Sequence, residues 1–112
     1  MNWNDTRDHL LANVGKLHEL SPDTVAGYLT ASGAGRKTAR LDEKTRQLIA
    51  LAVAVTTRCD GCISVHSNEA MKAGASREEL AEALGVAVSM NAGAALVYST
   101  RALDAFDNTT GQ

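Results

Sequence analysis

The segment Leu48-Ile49-Ala50-Leu51-Ala52-Val53-Ala54-Val55-Thr56-Thr57, followed at once by Arg58-Cys59-Asp60-Gly61-Cys62, decides the architecture. Its valines and threonines favour a strand. The lead-in Glu43-Lys44-Thr45-Arg46-Gln47 favours a helix, opened by Asp42. From Leu48 to Val55 the residues are apolar nearly all round, the pattern of a helix buried on most sides. With this stretch helical, no strand remains elsewhere and the chain reads as all-α.

Working outward, the next residues bring chemistry. Arg58 to His66 holds both cysteines of the chain and one of its three histidines. On a helix at about 100° per residue, positions 59, 62 and 66 fall at roughly 0°, −60° and −20°. Two thiols and an imidazole on one narrow arc form a chemical constellation rather than a packing pattern. Cys59 lies at or just before the expected helix N-terminus and Cys62 in its first turn, where unpaired amides favour a thiolate. His66 follows Cys62 by one turn, within reach for proton exchange. A thiolate that reduces a peroxide becomes a sulfenic acid, which a neighbouring thiol condenses to a disulfide.

Other readings of the pair compete. Zinc would take both sulfurs and His66, but a structural site needs a fourth ligand, from His9 or His18. A thioredoxin-type site would need a strand before the cysteines. Covalent haem attachment needs a histidine directly after the second cysteine, where Ile63 stands. Buried packing of small thiols is the default for a lone cysteine; the pair with His66 argues against it. His9 and His18 otherwise read as surface or packing residues, and Tyr98 as a core or interface tyrosine that would reach the site only as a hydrogen-bond donor.

The remaining chain reads as helices. Asn4 or Asp5 caps a first helix to about Glu19. Ser21-Pro22-Asp23 starts a second, which Ser32-Gly33-Ala34-Gly35 ends. Arg36 to Arg40 then reads as an exposed basic connector. The fourth helix runs from Asp60 to about Ala73, with Gly74 as a stop. Ser76-Arg77-Glu78-Glu79 is a capping box for a fifth. Asn91-Ala92-Gly93 is expected to kink or break it, with a sixth helix over 94–106 and a polar, frayed tail over 107–112. Residues 1–40 thus form a helical arm and 41–106 the core.

Composition bounds the partners. The chain has 112 residues, net charge −2, 45% apolar residues and only 4% aromatic ones. Basic residues are scattered and no aromatics alternate with them, which argues against nucleic acid. The apolar run 48–55 is too short to span a bilayer, and no secretory signal opens the chain. A cytoplasmic protein is expected, in which a Cys-x-x-Cys pair serves redox or metal chemistry rather than a structural disulfide. A short chain rich in small side chains has reason to self-associate.

Leu41 to His66, with Ala73-Gly74-Ala75-Ser76-Arg77-Glu78-Glu79-Leu80-Ala81-Glu82-Ala83-Leu84 downstream, resembles the core of the carboxymuconolactone decarboxylase family, and specifically its alkylhydroperoxidase D (AhpD)-like branch. The resemblance covers roughly 41–106. It implies an all-helical, cofactor-free homo-trimer or homo-hexamer that reduces organic hydroperoxides and is recycled by a dithiol reductant protein or small thiol. By position, Cys62 resembles the peroxide-reacting cysteine, Cys59 its disulfide partner and His66 the proton-relay histidine. The decarboxylase branch lacks the cysteine pair.

The pattern departs from the family at two places. The relay glutamate twelve residues before the first cysteine is Gln47 here, and glutamine cannot accept a proton. The histidine that some peroxidases carry between the cysteines is Gly61. Glu69, three residues after His66 on the same face, is the substitute relay candidate, and Glu43, one turn before Gln47, a weaker one. The alternative to a peroxidase is a helical oligomer whose cysteine pair senses redox state or exchanges disulfides.

Overall fold

The computed structural model describes residues 1–110, and all its elements are helical. They are α1 (Trp3–Leu20), α2 (Pro22–Thr38), α3 (Glu43–Thr57), α4 (Asp60–Lys72) and α5 (Arg77–Thr110). The helix α3 is central, packing against both α4 and α5, while α1 lies on α2 and α4.

Local signals explain most boundaries. Asn2 caps α1 by accepting from the Asp5 amide at 3.1 Å. Asp42 caps α3 by accepting from the Thr45 amide at 2.8 Å. The helix α3 ends at Arg58, which takes the left-handed conformation (φ 56°) and turns the chain into the cysteine segment. Gly74 (φ 87°) closes α4, and Ser76 and Glu79 satisfy each other's amides at 2.9 and 3.0 Å.

Five helices stand where six were expected, because α5 runs unbroken through 91–93. The Asn91 side-chain amide donates to the Ala87 carbonyl one turn back (2.7 Å) and to Thr56 Oγ1 on α3 (2.9 Å). Its polarity is thereby absorbed, and one tolerated glycine is too little to stop a helix this long. The helix also runs through 107–110, where a frayed tail was expected; residues 111 and 112 of that tail lie outside the described residues. As one 34-residue element, α5 is long and apolar enough by length and composition to cross a membrane, a test that core helices of soluble proteins also pass.

The Ser32–Gly35 segment likewise does not end α2. Gly35 packs on the Arg46 side chain so closely that a Cβ there would lie 2.7 Å from Arg46 Cδ. The glycine permits a helix–helix approach, and the stop falls at Ala39 (φ 52°). Arg36 and Lys37 therefore sit in the last turn of α2, where they oppose its negative end.

The apolar helix α3 is not covered on most sides. Its buried residues are Gln47, Leu51 and Ala54, a single stripe at i, i+4 and i+7. Ile49 and Val53 on its other face are about half exposed, at 49% and 55%. From Ala92 to Thr109, every residue of α5 is exposed apart from the partly covered Gly93, including Leu96 and Phe106.

Candidate active site

The site runs along the first two turns of α4, from Cys59 and Cys62 to His66, which meets Gln47 of α3. Cys59 is the N-cap of α4, and its Sγ accepts from the Cys62 amide at 3.1 Å. A helix N-terminus with a sulfur in the capping position stabilises negative charge on that sulfur. Cys59 and Cys62 are joined as a disulfide with Cα atoms 5.2 Å apart, inside the usual range for such a bridge. Both cysteines are partly buried. Ser64, fully buried at 0% exposure, anchors the turn by donating from Oγ to the Gly61 carbonyl at 2.7 Å.

One turn on, His66 reaches across to α3. Its Nδ1 lies 2.7 Å from Gln47 Oε1, and Gln47 Nε2 donates to Glu43 Oε1 at 2.9 Å. The second bond fixes the amide: with Nε2 turned to Glu43, Oε1 faces the ring, so Nδ1 carries the proton. The imidazole therefore keeps Nε2 free to take or return a proton. Gln47 is only 8% exposed, and both of its polar ends are bonded.

Glu43 anchors this chain electrostatically. It pairs with Arg36 of α2 at 3.0 Å and with Arg46 at 2.6 Å. The Arg36, Arg46 and Gln47 hydrogen bonds push its carboxyl down to about 2, so it is ionised across the neutral range. Arg46 also donates to the Leu41 carbonyl. The carboxylate expected next to the histidine is thus one helical turn further away and acts through an amide.

The sequence-expected residues are distributed as follows. Cys59 is bonded to Cys62, Cys62 lines a cavity with His66, and His66 bonds Gln47. Glu69 lines the same polar cavity as His66, but its carboxylate lies 3.9 Å from Lys72, and the ring's hydrogen bond goes to Gln47. The weaker candidate, Glu43, completes the chain. Arg36, read as part of a connector, is a site residue in this arrangement; its i, i+7 relation to Glu43 across the α2–α3 turn was the available signal. His9 bonds Asn13 at 3.0 Å, and among the described residues no three His, Cys, Asp or Glu side chains converge on a metal position. Tyr98 lies on the exposed half of α5 and carries Arg101 over its ring at 5.2 Å.

Two cavities flank the imidazole. A polar one of about 330 Å³ is lined by Arg36, Glu43, Arg46, Gln47 and Glu69. An apolar one of about 210 Å³ is lined by Cys62 and by leucines of the N-terminal helices. His66 belongs to both.

Residues 22–105 match the sequence model of the carboxymuconolactone decarboxylase family. The chain belongs to that family, and the match takes in α2 as well as the segment from 41 onward. An uncharacterized protein of Haemophilus influenzae is 49% identical over 104 residues, covering 93% of this chain and 92% of its own. An uncharacterized protein of the cox locus of Paracoccus denitrificans is 45% identical over 71 residues, covering 63% and 64%. The crystal structure of a carboxymuconolactone decarboxylase family protein from Legionella pneumophila, in its apo form, superimposes with a TM-score of 0.74 at 38% identity, covering 95% of each chain.

Proposed function

We propose that this protein is a thiol peroxidase of the AhpD-like branch, cytoplasmic and homo-oligomeric, which reduces organic hydroperoxides through Cys62 and Cys59. The supporting observation is that Cys62, bonded to Cys59, shares a cavity with a histidine whose tautomer leaves Nε2 open.

In the reduced protein, His66 Nε2 takes the proton of the Cys62 thiol. The Cys62 thiolate attacks the terminal oxygen of the hydroperoxide; an S–O bond forms, the O–O bond breaks, and the leaving alkoxide takes the proton back from His66 as an alcohol. The Cys59 thiolate, favoured by its N-cap position, then attacks the Cys62 sulfur. The S–S bond forms and hydroxide leaves, protonated to water. An external dithiol reduces the disulfide by two exchanges and departs as its own disulfide. Gln47 moves no proton in this scheme. It positions the imidazole, and Glu43 holds Gln47.

A Cys59→Ser variant tests the reading, because it stops the cycle at the sulfenic acid. After hydroperoxide treatment, a dimedone adduct on Cys62 is expected by mass spectrometry; its absence would count against peroxide attack at that sulfur. One observation favours a second reading. The amide of Gln47 stands where a proton-accepting relay would help most, which fits a disulfide-exchange site with no peroxide step. Under that reading, exchange with dithiols is fast and hydroperoxide consumption is negligible.

A further inference from the structure

The first two helices do more than flank the core. Arg7 of α1 donates to the Ser64 carbonyl of α4 at 3.4 Å, tying α1 to the cysteine turn. Three residues on, Leu10 rests on the backbone between the two cysteines. A Cβ added to Gly61 would lie 2.9 Å from Leu10 Cδ2, so the glycine is what lets this leucine lie there. Leu10 and Leu11 of α1 and Leu29 of α2 then wall the apolar cavity that has Cys62 and His66 on its other side.

Size and polarity define what this cavity takes. Its volume is about 210 Å³, whereas an apolar cavity of about 150 Å³ already holds benzene. The charged and amide groups of the site line the other, polar cavity. Besides His66, the lining offers a small polar peroxide only the hydroxyls of Tyr28 and Ser32. A phenyl or short alkyl group would gain about fourfold in affinity for each methylene it buries.

We propose that the α1–α2 cavity is the binding site for the apolar alkyl or aryl group of the hydroperoxide, with Leu10, Leu11 and Leu29 as its specificity-determining walls. The proposal rests on the peroxidase reading and assigns a role to the N-terminal arm. A group seated there directs its peroxy end at the Cys62 sulfur, with His66 alongside.

Binding is separable from turnover by using the alcohol product as probe. Disulfide-form protein is titrated with 2-phenyl-2-propanol and, separately, with tert-butanol, followed by methyl NMR. Saturable shifts at the Leu10, Leu11 and Leu29 methyls are expected, with the phenyl alcohol binding about tenfold tighter or more. Leu29→Phe, which fills the cavity from an exposed position, is expected to weaken the phenyl alcohol about fivefold or more; circular dichroism checks that the variant folds. A second apolar cavity, of about 380 Å³, lies between α3 and α5 and is lined by Ile49, Val86 and Met90; shifts centred there, or no saturable shift, would overturn the proposal, as would unchanged affinity in folded Leu29→Phe. Specific alcohol binding without any hydroperoxide-driven thiol loss would instead sink the peroxidase reading and leave an apolar-ligand site. Thiol loss without alcohol binding would do the reverse.

Discussion

His66 Nδ1 and Gln47 Oε1 lie 2.7 Å apart across the seam between α3 and α4, and this contact sets which ring nitrogen is free for chemistry. The amide holds the ring without sharing its charge. Replacing Gln47 with glutamate would put a carboxylate against Nδ1, where it can stabilise the imidazolium as it forms. Gln47→Glu is therefore expected to speed hydroperoxide-driven thiol loss by about tenfold or more. An unchanged or slower rate would mean that proton transfer through His66 is not limiting.

Glu43 is a positioning residue one step removed. In Glu43→Gln the side chain can offer either an oxygen or an amide to Gln47, so the orientation of Gln47 is no longer dictated. Nitrogen-15 spectra of His66 are expected to show the Nδ1–H tautomer alone in the parent and both tautomers in the variant. Glu69→Gln is expected to leave the tautomer unchanged, since the ring bonds Gln47 instead. A tautomer mixture in Glu69→Gln, with Glu43→Gln silent, would move the anchoring role to Glu69.

The same carboxylate predicts an acid dependence. Folding lowers the Glu43 carboxyl from 4.5 to about 2. A carboxyl depressed in this way adds stability that is fully present above its unfolded value and is lost as pH falls toward the folded one. The difference in melting temperature between the parent and Glu43→Gln is therefore expected to shrink between about pH 5 and pH 2. A constant difference over that window would show that the ion pairs with Arg36 and Arg46 contribute nothing to folding.

The exposed apolar residues predict association. The radius of gyration is 18.8 Å, against about 13 Å for a compact chain of this length. Val97 and Phe106 on the projecting half of α5 are 70% and 66% exposed. A single chain leaves 8429 Å² accessible, against about 5,900 Å² for a compact monomer of this mass. Light scattering is expected to give a mass several times the 11.8 kDa subunit, with Leu103→Asp shifting it toward the monomer. A monomeric parent would contradict the homo-oligomer.

The short signals were legible in the sequence because each acts within one helical turn. Ser76 with Glu79 and Asp42 before Glu43 both form the caps their types imply. Cys62 and His66 were expected on one face because one helix carries both, and they line one cavity. What depended on contacts between helices was not legible. The Asn91 break vanished because Thr56 on another helix takes up its amide. The stop at Gly33 and Gly35 vanished because the glycine serves close packing on Arg46. The half-exposed face of α3 belongs to surface that one chain alone does not cover. The Glu43–Gln47–His66 chain joins two helices through an amide; spacing pointed to His66 and the family resemblance to Gln47, but neither showed that Glu43 would hold the amide.

The most direct test counts thiols. Fully reduced protein is mixed with cumene hydroperoxide, and free thiols and released 2-phenyl-2-propanol are measured together in the parent and in Cys62→Ser. Loss of both cysteine thiols of each chain per molecule of alcohol formed is expected in the parent, with loss slowed at least about a hundredfold in Cys62→Ser. Thiol loss in the parent no faster than in Cys62→Ser, or alcohol release unconnected to it, would contradict a peroxidase.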